Sequence, residues 1–201
     1  MAQRQERLAV EMRRVVESTL ELVQRTGNLD PSIREILAHT GLSTQSFYRY
    51  FRSKDELMLA LLDDGRSRLV EYLEHRMAKA AQPASRVRAW IEGVMAQAAD
   101  PGAAARTRPF SVGEDRLAEM FPEEHRRSVE SLASLLIGPL EGLTSSRPTA
   151  SSKAKVRRDA RAIYRLTFAT LHDHLISCEE PAPATVEHLV TFALRGAGAT
   201  R

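Results

Sequence analysis

The sequence predicts an all-α protein, and three of its features support that prediction. The 201-residue chain has only one tryptophan and four tyrosines. It contains no run of alternating β-branched residues, the pattern expected of a half-buried strand. Apolar residues recur at helical spacing in segments that glycine and proline separate. A chain of this length can hold one or two small domains with a sizeable core.

Composition favours a protein of the cytoplasm. The single cysteine, Cys178, cannot form an internal disulfide and fits a reducing compartment. The N-terminus lacks the apolar segment of a signal peptide, and no apolar stretch approaches 18 residues, so secretion and membrane insertion are not expected. The formal net charge is +3, and 25 of the 29 basic residues are arginine. In such a composition, an arginine cluster alone is a weak indicator of function.

Three helices are predicted in the first 51 residues. The first spans about 6–25. The second begins after Ser32, which can form a capping box with Glu35. It stops at Gly41, a residue free to adopt the left-handed conformation of a tight turn. The third is about two turns long and follows Ser43, a suitable N-cap.

The third predicted helix has one apolar and one polar face. Phe47 and Phe51 are one turn apart and are expected to face inward. The outward positions are Thr44, Gln45, Tyr48 and Arg49. A helix, a glycine turn and a second helix with a polar outer face fit the geometry that places a recognition helix in the DNA major groove.

The rest of the chain is also predicted to be helical. The expected helices are 53–81, 84–99, 122–142, 153–178 and 184–195. Gly65 interrupts the first of these helices and lowers its stability by about 1 kcal/mol relative to alanine. The helix is therefore expected to be weakest there, between the two halves of the chain. Residues 100–122 are expected to be less regular, and residues 144–152 to form a polar loop.

Four short motifs lie in order within residues 32–57. They are Ser32-Ile33-Arg34-Glu35-Ile36-Leu37, Thr40-Gly41-Leu42-Ser43, Tyr48-Arg49-Tyr50-Phe51 and Ser53-Lys54-Asp55-Glu56-Leu57. This segment resembles the DNA-binding region of TetR-family transcriptional regulators, whose pattern is Thr/Ser-x-x-x-Ile-Ala, Ala-Gly-Val-Ser, Tyr-x-His/Tyr-Phe and Ser-Lys-x-x-Leu. Leu37 and Thr40 stand where the family has alanine, and both are tolerable packing changes.

The resemblance implies two domains and a mode of action. Residues 1–66 would be the helix-turn-helix DNA-binding domain, and residues 67–201 a helical ligand-binding and dimerisation domain. Such a protein binds a palindromic operator in double-stranded DNA as a homodimer, acts as a repressor and is released by a small-molecule inducer. The alternatives are a helix-turn-helix protein without a small ligand, and an activator.

The resemblance also implies dimerisation through the last two helices, as a four-helix bundle. Each of these helices has apolar residues on more than one side, and a helix apolar on two sides must bury both. An ordinary core is the alternative explanation. In a symmetric dimer, the two recognition helices lie about one DNA turn apart or a multiple of it.

Nine residues are predicted to contact DNA, by position in the family pattern. Those at the start of the recognition helix, expected to reach base edges, are Thr44, Gln45 and Ser46. Those expected at phosphates are Ser32, Arg34, Tyr48, Tyr50 and Lys54. Arg49 fits either a base or a phosphate. Glutamine can pair bidentately with adenine, and the amides at a helix start favour anions near Lys54. The alternative for each residue is a solvated polar side chain.

Seven residues are predicted to line a ligand pocket: Trp90, Met95, Phe110, Phe121, Tyr164, Phe168 and His172. Aromatic and methionine side chains at helical spacing fit a plain core equally well. A basic cluster is formed by Arg147, Lys153, Lys155, Arg157, Arg158, Arg161 and Arg165. It fits an anionic ligand such as an acyl-CoA, a second nucleic-acid contact or a solvated helix face.

Catalysis, a cofactor and a metal are not expected. The sequence has no glycine-rich phosphate loop, no HExxH motif and no nucleophile elbow, and nothing places Cys178 beside a catalytic histidine. His172 and His174 are two residues apart on a predicted helix, so their side chains point apart and make a poor metal pair.

Overall fold

The computed structural model describes residues 2–143 and 149–198, and every regular element within them is an α-helix. The eleven helices are α1 (Ala2–Thr26), α2 (Ile33–Thr40), α3 (Thr44–Tyr50), α4 (Lys54–Ala78), α5 (Pro83–Ala99), α6 (Pro101–Val112), α7 (Glu114–Met120), α8 (Pro122–Ser134), α9 (Ile137–Leu143), α10 (Ala150–Ser177) and α11 (Pro183–Gly196). The predicted all-α class is confirmed.

Two predictions about the middle of the chain were wrong. Residues 100–122 form two helices, because Asp100 accepts a hydrogen bond from the Ala103 amide at 2.6 Å and Pro101 follows at the first helical position. Aspartate is a favoured N-cap and proline is favoured at that position. The single helix predicted for 122–142 is instead broken between α8 and α9, at residues 135–136.

Two further boundaries differ from the predictions. Helix α4 runs without a break through Gly65, so the predicted interruption does not occur. Helix α10 begins earlier than expected, because Thr149 caps it by accepting a hydrogen bond from the Ser152 amide at 3.1 Å. Residues 144–148 of the predicted polar loop, including Arg147 of the basic cluster, lie outside the described residues.

Buried apolar side chains form two hydrophobic clusters, and α4 contributes to both. The first cluster joins α1, α2, α3 and the start of α4, together with residues of α7. The second joins the later part of α4 to α5 and α8–α11, with Trp90 fully buried and its Nε1 donating to the Leu132 carbonyl at 3.1 Å. The division at residues 66 and 67 stays a prediction, and it falls inside α4.

Candidate DNA-binding surface

The helix pair α2–α3 is held in place by three local hydrogen-bonding features. Ser32 and Glu35 form a complete capping box at the start of α2. Gly41 ends that helix with φ 70° and ψ 12°, and its amide donates to the Leu37 carbonyl at 3.0 Å. Ser43 caps α3 by accepting from the amide of the residue three positions on, at 3.1 Å. These caps satisfy backbone groups that helix ends leave unpaired.

The inner faces of the two helices are fully buried, which fixes their outer faces. Ile36, Phe47 and Phe51 are at most 1% exposed. On the outer side of α3, the exposed residues are Thr44, Gln45, Tyr48 and Arg49. The Tyr48 ring packs edge-on against Phe47, with centroids 5.3 Å apart at 89°. The buried inner face of α3 therefore holds the helix so that a row of polar side chains faces solvent.

Three of the predicted DNA contacts on α3 already have partners within the chain. The Tyr50 hydroxyl donates to Glu11 in α1. The Arg49 guanidinium lies over the Tyr50 ring and 3.9 Å from the Glu11 carboxylate. Ser46 is half-buried, and its hydroxyl accepts from the Ser43 hydroxyl at 3.0 Å. Glu11 was missed from the sequence, because a pair 39 residues apart leaves no local signal.

Lys54 is not a free cation at the surface. Its ammonium donates to Asp30 Oδ1, and Arg116 Nη2 donates to Asp30 Oδ2 at 2.7 Å. The hydrogen bond from Lys54 is the main cause that holds the pKa of Asp30 below its usual value, and the charges of Lys54 and Arg116 act in the same direction against the effect of burial. Asp30 and Arg116 were not identified from the sequence.

The two residues predicted at phosphates from α2 differ in their surroundings. The Ser32 hydroxyl donates to Glu35 Oε2 at 2.7 Å and accepts from the Glu35 amide, so the cap occupies it. The hydrogen bonds that the Ser32 hydroxyl and the Ser32 amide donate to the Glu35 carboxylate lower the pKa of Glu35. Arg34 is exposed, and no described residue forms a hydrogen bond or ion pair with it.

The seven residues predicted to line a ligand pocket are not brought together in one place. Trp90, Met95 and Tyr164 are buried in the second cluster, with Phe168 packed against it. Tyr164 and Phe168 stack at 4.3 Å, and each tilts against Trp90. Burial raises the pKa of the Tyr164 hydroxyl.

The other three predicted pocket residues lie elsewhere. Phe110 and Phe121 pack in the first cluster, which also contains residues of the helix pair. His172 lies between α10 and α6, with its Nδ1 3.0 Å from the Ser111 hydroxyl. Phe121 also lines an open groove of about 500 Å³ between α4 and α8, which the sequence did not indicate.

Neither a metal site nor a membrane span is found in the part of the chain that the structure describes. No group of three histidine, cysteine or acidic side chains there is placed to hold an ion. The helices there are too short or too polar to cross a bilayer.

Residues 15–61 match the family model described as bacterial regulatory proteins, tetR family. This segment is a tetR-family domain. It includes the later part of α1, the whole of α2 and α3 and the first turns of α4. Eight of the nine predicted contacts lie on α2, α3 or their caps, and Lys54 begins α4. No curated protein matches the chain.

Solved structures of regulators resemble the whole chain beyond the tetR-family domain. A TetR transcription regulator from Haloarcula marismortui has a TM-score of 0.70 and 17% identity, with 96% of this chain and 98% of that one covered. Reduced Escherichia coli NemR has the same TM-score and identity, with 94% and 99% covered. The fatty acid degradation regulator FadR from Bacillus halodurans has a TM-score of 0.67 and 16% identity, with 94% and 97% covered. These similarities establish a TetR-type fold.

Proposed function

We propose that the protein is a cytoplasmic, non-enzymatic transcription regulator that binds a palindromic operator and represses the genes beside it. The observation that carries this proposal is the polar outer face of α3, held on a fully buried inner face within a tetR-family domain. Side chains in such a row reach base edges when the helix enters the major groove. Repression is the sign of regulation that the resemblance to TetR regulators favours.

Dimerisation through α10 and α11 is supported by apolar side chains that no described residue covers. Leu166, Ala169 and Ile176 are exposed along one stripe of α10, at helical spacing. Phe192 is exposed on α11. A second copy of the chain would remove these side chains from water, and two-fold symmetry would pair the recognition helices on the two halves of a palindrome.

Operator recognition is tested with duplexes that the wild-type protein enriches from a random DNA library. Gln45→Ala is expected to weaken binding to the enriched duplex by about 1–3 kcal/mol, with little change on random DNA, because it removes one base contact. Fluorescence anisotropy on both duplexes measures this difference.

The matched control for this variant is Gln82→Ala. Gln82 is another exposed glutamine, which precedes α5 and makes no side-chain capping bond. It is expected to leave both affinities unchanged. Equal losses on enriched and random DNA for Gln45→Ala would show that Gln45 reads no base.

We also propose that a small-molecule inducer releases the protein from its operator. An inducer must bind one arrangement of the dimer more tightly than another, since a ligand with equal affinity for two states does not change the equilibrium between them. Coupling of about 1–3 kcal/mol would weaken operator binding by roughly 5- to 150-fold, and operator must weaken inducer binding by the same factor. The measurement is calorimetric titration of a compound found by thermal-shift screening, with and without operator. Identical affinities in the two titrations would contradict control by that compound.

A regulator without a small ligand is the second candidate. The mutual packing of Trp90, Tyr164 and Phe168 favours it, because these predicted pocket residues fill space with one another. A ligand present at 100 times its Kd would stabilise the fold by about 2.7 kcal/mol. A metabolite library that gives no thermal shift would therefore favour this candidate.

A further inference from the structure

The turn between α1 and α2 packs against the corner between α6 and α7. Leu29, in the middle of this turn, is buried. A β-carbon added at Gly113, which lies at the corner, would overlap Leu29 Cδ1. The turn that leads into the DNA-binding helix pair is therefore in direct contact with the α6–α7 corner.

The next residue in the turn makes an ionic contact at the same place. Asp30 binds Lys54 through one carboxylate oxygen and Arg116 through the other, at 2.7 Å. The side chains of Asp30 and Lys54 are only 28% and 26% exposed, so solvent screens their interaction less than that of a surface pair. One carboxylate is thus shared between a predicted phosphate-binding cation and a cation of α7.

We infer that Arg116 is a positioning residue that sets how strongly Lys54 can bind a DNA phosphate. This inference rests on the proposed DNA-binding function. With Arg116 in place, part of the Asp30 charge is neutralised and Lys54 exchanges more readily from the carboxylate to a phosphate. Without Arg116, the whole carboxylate charge acts on Lys54 and competes with DNA.

The position of α7 makes Arg116 responsive to the rest of the protein. Leu117 and Phe121 anchor α7 in the first hydrophobic cluster. On the other side of Gly113, α6 is tied to α10, because Arg108 Nε donates to the Leu175 carbonyl at 2.6 Å and Ser111 contacts His172. A shift of α10 relative to the helix pair would therefore act on the corner that carries Arg116.

The test is a double-mutant cycle between Arg116→Gln and Asp30→Asn, measured as Kd for the enriched duplex over a range of salt concentrations. Arg116→Gln is expected to weaken binding about 2- to 10-fold, within the range of coupling between residues in contact. It should also lower the slope of log K against log salt by up to about one, the value of one phosphate contact. In the Asp30→Asn background it should have no effect, and Arg116→Lys should restore most of the affinity.

The matched control is Arg126→Gln. Arg126 is 56% exposed against 54% for Arg116, but it pairs with Glu123 and Glu130 within α8. It should change Kd by less than Arg116→Gln does. Equal losses for Arg116→Gln with and without Asp30 would overturn the inference, because they would show an effect of overall charge. A melting curve for each variant verifies that the fold is kept.

Lys54→Ala separates the inference from the proposed function. It should weaken binding to enriched and random DNA alike and lower the salt slope by about one. An unchanged salt slope would show that Lys54 binds no phosphate, and it would overturn the inference. The proposed function would not be affected by that result, because other residues could still bind DNA. Failure of the wild-type protein to enrich any duplex would overturn the proposed function and the inference together.

Discussion

Phe192→Asp is expected to convert the protein into a folded monomer that no longer binds operator DNA. Phe192 is 60% exposed within one chain, so the substitution leaves the hydrophobic clusters intact. In the proposed dimer the same side chain lies in the α10–α11 seam, where an unpaired buried charge costs several kcal/mol. A monomer would bind a half-operator only weakly, because it lacks the second recognition helix, which supplies half of the contacts in the proposed dimer.

The measurement is small-angle scattering at low micromolar protein, with DNA binding followed in parallel. Val112→Asp is the matched control, since Val112 is 57% exposed and lies on α6 rather than on α10 or α11. It should remain dimeric. A Phe192→Asp protein that is still a dimer at low micromolar concentration would place the seam elsewhere on the chain.

Phe47→Ala is expected to destabilise the helix pair severely and to abolish DNA binding as a consequence. Phe47 is fully buried and touches both Phe51 and Tyr48. Truncating a buried phenylalanine costs about 3–5 kcal/mol. At about 2–4 °C per kcal/mol for a chain of this size, Tm should fall by roughly 6–20 °C. Calorimetry or circular dichroism measures the change.

The neighbouring residue provides a control that separates stability from function. Tyr48→Phe keeps the ring that packs on Phe47 and removes only the exposed hydroxyl. It should melt like the wild type and bind DNA more weakly, because the predicted phosphate contact of the hydroxyl is lost. An unchanged Tm in Phe47→Ala would contradict the conclusion that the inner face of α3 is buried and stabilises the fold. An unchanged DNA affinity in Tyr48→Phe would show that the Tyr48 hydroxyl does not contact DNA.

The helix pair was predictable from the sequence because its determinants are local. Ser32 and Glu35 cap one helix, Gly41 closes the turn, and Phe47 and Phe51 mark the inner face, all within a few residues of what they control. The error at 100–122 was also local. Helix α5 ends at Ala99 as predicted, but the Asp100-Pro101 pair that follows it also caps the start of α6.

The rest of the candidate surface depends on contacts between distant parts of the chain. Tyr50 meets Glu11 across 39 residues, and Asp30 meets Arg116 across 86. Neither pair has a spacing that periodicity or capping rules detect. The placement of Phe121 in the first cluster has the same cause, since the sequence does not show which cluster a buried aromatic residue joins.

The unbroken course of α4 has a mechanical consequence. Its 25 residues form a rod of about 37 Å at 1.5 Å per residue, with one end in each hydrophobic cluster. A tilt of about 5° at the end near Leu73 would displace the other end, beside the helix pair, by about 3 Å over that length. A displacement of that size exceeds the tolerance of a hydrogen bond. Packing changes too small to open a cavity near Trp90 would therefore suffice, in the proposed complex with DNA, to take α3 out of register with the bases.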